Sequence, residues 1–142
     1  MPTKSITVKA LFEHYPELVQ VTGDEKSLER LIKIPEINRP GLELVGFFEH
    51  TDFRRIVIFG EKEISFIAHM SKEDQHTRFC KILNEETPML IIAKNYDCPP
   101  ILKEIAIEKN FPIFLTKHRT GRFSTNITAF LSEQLAPETL MH

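Results

Sequence analysis

No stretch of the chain approaches the run of about eighteen apolar residues that a membrane span requires, and Met1-Pro-Thr-Lys-Ser5 lacks the apolar centre of a secretory signal. The expectation is a cytoplasmic protein with no membrane partner. Neither sign of charge dominates: eighteen Lys and Arg stand against twenty Asp and Glu, a formal net charge of −2. A protein that holds duplex nucleic acid by neutralising phosphates needs a larger basic excess, so no nucleic-acid partner is expected. There are two cysteines, Cys80 and Cys98, in no Cys-x-x-Cys pair, which reads as two free thiols. Internal repeats and low-complexity segments are missing, as are the Gly-x-Gly-x-x-Gly and Gly-x-Ser-x-Gly strings. The Asn126-Ile-Thr128 pattern matches a glycosylation acceptor but has no consequence without a secretory route.

What is present suffices for one core. The chain has 142 residues, 42% of them apolar and eleven of them Phe, which suits a single domain with a radius of gyration of roughly 14 Å. In the second half Arg54 to Phe59, Met89 to Ala93 and Pro112 to Leu115 are short apolar runs of the kind found in strands buried on both faces. Helical patterns separate them. Ser71-Lys-Glu-Asp74 is a capping-box pattern, and His76, Phe79, Ile82 and Leu83 share the face of a helix expected to end near Glu86. Ile101, Leu102, Ile105 and Ala106 mark a helix begun by Pro99-Pro100 and closed by Asn110. Phe123, Ile127, Phe130, Leu131 and Leu135 mark a last helix stopped by Pro137. Glu61 to Met70 fits helix and strand alike and is read as a short helix.

The first half is less regular. Ile6 to Tyr15 reads as a helix, Leu18 to Val21 and Leu31 to Ile34 as strands, and Asn38-Arg-Pro-Gly41 as a turn. Leu42, Leu44, Phe47 and Phe48 form a segment expected to be buried against the sheet. The predicted fold is α/β: a mainly parallel sheet with helices on its faces, a Rossmann-like three-layer domain with an irregular N-terminal part.

Candidate chemistry is sparse. Gly41 and Gly46 have the spacing that opens a phosphate-binding loop, but Phe47 and Phe48 stand where Lys and a hydroxyl are needed. Glu73, His76 and Cys80 share one helical face, and such a trio can ligate a metal. The same face carries Phe79 and Leu83 and nothing nearby supplies a fourth ligand, so packing is the preferred reading and no metal site is assigned. His14, His50 and His69 are isolated and read as partly exposed polar residues. Lys117-His-Arg-Thr-Gly-Arg122 lies between the last strand and the last helix, at the carboxyl edge of a parallel sheet. Free helix amides, a Thr hydroxyl and the cations Lys117, Arg119 and Arg122 together suit an anion. The alternative is a solvated crossover loop. Arg54 and Arg55, at the start of a strand, fall at the opposite edge.

Four strings carry a resemblance: Asn38-Arg-Pro-Gly-Leu-Glu-Leu-Val-Gly-Phe-Phe48, Arg55-Ile-Val-Ile-Phe-Gly60, Glu86-Thr-Pro-Met-Leu-Ile-Ile92 and Leu135-Ala-Pro-Glu-Thr-Leu-Met-His142. In order and separation they resemble the N-terminal domain of the bacterial HPr kinase/phosphorylase family across essentially the whole chain. The resemblance implies a homohexameric cytoplasmic enzyme that uses ATP or pyrophosphate, with Mg, to phosphorylate a serine of HPr in carbon catabolite control and to reverse that step. In the family the P-loop kinase machinery lies beyond this point. Residues 1–136 would then be the N-terminal α/β domain, serving assembly or regulation, and residues 137–142 the start of a linker to the kinase domain. The fragment alone is expected to bind no cofactor and to be inactive. His142 matches the His of a His-Gly pair among the family's active-site residues, the one catalytic candidate the resemblance supplies. The competing reading is a stand-alone small-molecule or anion-binding module of the same fold, with its site at Lys117 to Arg122. A metal-dependent enzyme built on Glu73, His76 and Cys80 is the third.

Overall fold

A computed structural model describes residues 4–136. The chain opens with β1 (Ile6–Thr7) and α1 (Val8–His14), whose first turn is capped where the Thr7 hydroxyl accepts from the Ala10 amide at 3.1 Å. β2 (Val19–Thr22) and a 3-10 turn at Glu25–Glu29 follow, then the two-residue strands β3 (Leu31–Ile32) and β4 (Ile37–Asn38) and another 3-10 turn at Glu43–Val45. The remaining elements are β5 (Ile56–Phe59), α2 (Glu61–Ala68), α3 (Lys72–Ile82), β6 (Leu90–Ile92), α4 (Pro100–Lys109), β7 (Ile113–Leu115) and α5 (Thr120–Leu135).

Five strands form one sheet in the order β2-β7-β6-β5-β4, with β4 to β7 parallel and β2 antiparallel to β7. β1 and β3 pair separately as an antiparallel ribbon. Because side chains alternate along a strand, each central strand feeds two cores. Val57, Phe59, Leu90, Ile92 and Ile113 face Ile67 of α2, Phe79 and Ile82 of α3, and Leu102, Ile105 and Ala106 of α4. Ile56, Ile58, Ile91 and Phe114 face Val8 and Leu11 of α1 and Phe123, Ile127 and Leu131 of α5. From β4 to β7 the chain advances one strand at a time in a single direction, so the crossover helices α2, α3 and α4 share a face. The opposite face is left to α1 and α5. The three-layer α/β architecture read from the sequence is the one observed, and Glu61–Ala68 is helical as expected.

Several boundaries differ from expectation. α3 stops at Ile82, not near Glu86, because other groups take its last carbonyls and turn the chain. The Thr87 hydroxyl donates to Ile82 O at 2.9 Å, the Lys109 ammonium donates to Cys80 O and Leu83 O, and the Asn84 side chain accepts from the Glu86 and Thr87 amides. Ile6 and Thr7 pair with β3 instead of entering α1. Asn38, read as the start of a turn, ends β4, where Ile37 and Asn38 pair with Ile56 and Val57. The segment after Gly41 is only half buried: Leu44 is 3% exposed and Phe48 packs beside the core, but Leu42 is 63% and Phe47 43% exposed. A 3-10 turn cannot place every side chain on one face, and here Leu44 takes the inward position.

Candidate functional site

The carboxyl ends of four parallel strands meet along one edge, the position at which open α/β sheets bind ligands. Arg39 follows β4 directly, and Gly60 follows β5 as the N-cap of α2. The Gly60 amide donates to Glu63 Oε1 at 2.5 Å, and the same carboxylate accepts from Arg39 Nη2 at 3.1 Å. Glu63 is buried, which its full pairing permits. A Cβ at Gly60 would run into the Thr120 hydroxyl and the Arg39 guanidinium, so those side chains would have to shift. Beyond β6, Lys94 and Asn95 both adopt left-handed backbone, with φ of 55° and 52°. Their amides donate to His118 O at 3.0 Å and Thr116 O at 2.8 Å, fixing the β6 turn to the loop that follows β7.

That loop delivers the N-terminus of α5. Arg119 stands at the N-cap without a side-chain cap, and only its carbonyl is engaged, accepting from the Phe123 amide at 3.1 Å. The amides of Thr120, Gly121 and Arg122 donate to no group among the described residues. Thr120 is 8% exposed, and its hydroxyl has no hydrogen-bond partner among the described residues. The space beside Gly121 is open.

Lys117, Arg119 and Arg122 stand where the sequence suggested, between the end of β7 and the first turn of α5, all three exposed. None forms an ion pair among the described residues. His118, between them, turns back and lies 3.7 Å from the Glu17 carboxylate. Arg39, Gly60 and Glu63 were not singled out as site residues, and no spacing rule joins Arg39 to a carboxylate twenty-four positions on. The only available sign was that Arg39 falls in the most distinctive string of the chain.

Other candidates lie elsewhere. Arg54 and Arg55 precede β5 at the amino edge, paired with Asp52 at 2.8 Å and Glu36 at 3.0 Å. The hydrogen bond from Arg54 holds the Asp52 carboxyl down at about 2. A cleft of about 380 Å³ beside them is lined by Glu29, Glu85 and Glu86 as well as Arg30, Lys33 and Arg54, so its charges largely cancel. In α3, His76 Nδ1 and Cys80 Sγ lie 3.8 Å apart, and Thr77 donates to the Glu73 carbonyl. Among the described residues no three His, Cys, Asp or Glu side chains gather as metal ligands would. Burial pushes the Cys98 thiol up to about 11, which keeps it protonated at neutral pH. His14 stacks on Phe130 at 3.9 Å. His142 lies outside the described residues.

The protein family described as "HPr Serine kinase N terminus" matches residues 6–131. The HPr kinase/phosphorylase of Listeria monocytogenes serotype 4a (strain HCC23) is 37% identical over 140 residues, covering 99% of this chain and 44% of that protein. The protein of the same name from Streptococcus sanguinis (strain SK36) is 38% identical over 138 residues, 97% of this chain and 44% of its own length. That of Exiguobacterium sp. (strain ATCC BAA-1283 / AT1b) is 35% identical over 124 residues, 87% and 40% respectively. The chain therefore spans less than half the length of the curated relatives it matches.

Proposed function

This chain belongs to the HPr serine kinase N-terminal family, and from that premise we propose that it assembles or regulates a kinase that phosphorylates a serine of HPr and reverses that reaction. One observation carries the reading: the match takes in 99% of this chain but 44% of the Listeria relative, so that relative's named activity draws on much more chain than this domain provides. The enzyme as a whole would use ATP or pyrophosphate with Mg, act in the cytoplasm and assemble as a homohexamer. Neither nucleic acid nor membrane enters the reading. Residues 137–142 would begin the linker to a P-loop kinase domain, with His142 at its entry.

ATP and Mg do not fit the segment between Gly41 and Phe48. Gly41 and Gly46 flank the short 3-10 turn Glu43–Val45 and not a strand-to-helix loop, and Phe47 and Phe48 occupy the positions of the phosphate-binding Lys and the metal-binding hydroxyl. What the domain does offer is the carboxyl edge. Lys117, Arg119 and Arg122, beside the uncapped start of α5, form an anion-binding element through which a small molecule would act on the attached kinase. The competing stand-alone module would use the same element without a kinase.

The test is to join residues 1–136 to the kinase portion of a relative and compare it with that portion alone. The expected result is a change in the rate of HPr phosphorylation or in subunit assembly when the domain is present. Identical rates and identical assembly would reject the proposal.

A further inference from the structure

We propose that residues 41–51, the middle of the crossover from β4 to β5, form a strap that lifts from α3 and β5 as one body, and that Arg78 of α3 sets the balance between its closed and open forms.

This crossover differs from the two beside it. β5 reaches β6 through α2 and α3, and β6 reaches β7 through α4, whereas residues 39–55 carry only the 3-10 turn Glu43–Val45. The two ends are tied down, Arg39 to Glu63 and Arg55 to Glu36. Between those ties, every hydrogen bond that residues 41–51 make among the described residues stays within the segment. The Val45 and Phe47 amides donate to Leu42 O, the Gly46 amide to Glu43 O and the Thr51 amide to Phe48 O, and the Thr51 hydroxyl donates to Glu43 Oε2 at 2.7 Å. Backbone groups normally hold a segment in place because each must keep a partner. Here the partners travel with the strap, so it leaves without breaking one.

Packing holds the closed form, and it is thin. Leu44 is buried and Phe48 packs beside the core, while Leu42, Val45 and Phe47 face water. A cleft of about 270 Å³ separates Gly41, Leu44 and Val45 from Lys62 and Phe66 of α2, and a void of about 10 Å³ lies among Glu43, Thr51, Val57 and Ile82. Such gaps remove dispersion contacts from the closed form. Arg78 opposes closure more directly. Its guanidinium lies against Gly46, where a Cβ would stand 2.9 Å from Cζ. The Arg78 Nε is buried without a hydrogen-bond partner among the described residues, and Asp74 Oδ1 is 4.0 Å from Nη2, beyond hydrogen-bond reach. An unpaired buried donor destabilises the form that buries it, and opening returns this one to water. On the other side stand Leu44, Phe48 and the Lys81 ammonium, 5.2 Å from the Phe48 ring centre. Few contacts of opposing sign place the two forms close in energy.

The experiment is thiol labelling of Leu44→Cys, in a chain with Cys80→Ser and Cys98→Ser, by an aromatic disulfide reagent. Ile91→Cys in the same background, at the centre of the sheet, is the reference. The Leu44→Cys variant is expected to label at least about tenfold faster than the reference and with little dependence on urea, because lifting the strap exposes little surface. One rate and one urea dependence for both would overturn the strap. Arg78→Lys and Arg78→Met each put carbon where Nε stands, the first with its charge retained, and each is expected to slow labelling about tenfold. Unchanged or faster labelling in both would overturn the part given to Arg78, and slowing in Arg78→Met alone would transfer that part from Nε to the charge. The unsubstituted chain gives a check that needs no variant to fold: chymotrypsin is expected to cut residues 41–51 before residues 54–135. The reverse order would overturn the strap.

Discussion

Residues 54–135 and residues 4–53 share one core but differ in how much of it they supply. In the later region β5, β6 and β7 are buried along their length or nearly so, and α3, α4 and α5 each bring a stripe of large apolar side chains to one face of the sheet. In the earlier region three of four strands are two residues long, and Leu31, Leu42, Val45 and Phe47 remain exposed. Polar ties do much of the work there. Arg30 Nη1 reaches the carbonyls of Asn84, Glu85 and Thr87 while its guanidinium lies 4.8 Å from the Phe111 ring centre. Asp24 caps the turn at Ser27 and binds the Asn110 side chain, which closes α4 in left-handed backbone. Hydrophobic burial builds the later region; in the earlier one Val8, Leu11, Leu18, Leu28 and Ile32 join the same core, and long-range hydrogen bonds add to that attachment.

Truncation in the core should break the molecule as a whole. Phe114→Ala removes a fully buried ring that packs on Phe12 at 5.0 Å, and a loss of about 3–5 kcal/mol is expected in urea unfolding. A loss below about 1 kcal/mol would contradict the central place given to β7. Next in size, Arg30→Ala strands three carbonyl acceptors and one aromatic contact, with an expected cost of about 1–3 kcal/mol. Amide exchange should rise more in residues 4–34 than in β5 and β6. Uniform acceleration across the sheet would show that the two regions are one unit.

Smaller effects sharpen the same contrast. Phe47→Ala should cost less than about 1 kcal/mol, since the ring is already partly in water. Equal costs for Phe47→Ala and Phe114→Ala would dissolve the distinction between the regions. Smallest of all is the acid dependence carried by Asp52. Its folded carboxyl is held below the ordinary value by Arg54, so its stabilisation is complete above about pH 4 and fades as the pH falls toward 2. The pair is largely exposed, so only a fraction of 1 kcal/mol is expected, and Asp52→Asn should flatten the curve by that amount.

The sequence discloses these two regions unequally for the same physical reasons. Ile56 to Phe59, Leu90 to Ile92 and Ile113 to Leu115 carry their own signal, because a strand buried on both faces must be apolar throughout. Ile37 and Asn38 carry none: their pairing is conferred by Ile56 and Val57, and two residues hold no period. Leu42 and Phe47 mislead in the other direction, since apolar residues in a short turn are not obliged to face inward. At the carboxyl edge, Lys117, Arg119, Thr120 and Arg122 were legible as neighbours in one loop. Arg39, Gly60 and Glu63 were not, because only the parallel register of β4 beside β5, and the turn into α2, brings them together.

Phosphoryl transfer bears most directly on the reading of this domain as the partner of a kinase and not the kinase itself. The isolated chain, incubated with labelled ATP, Mg and HPr, is expected to leave HPr unlabelled, while a full-length relative under the same conditions labels its serine. Labelling of HPr by this chain alone would contradict it.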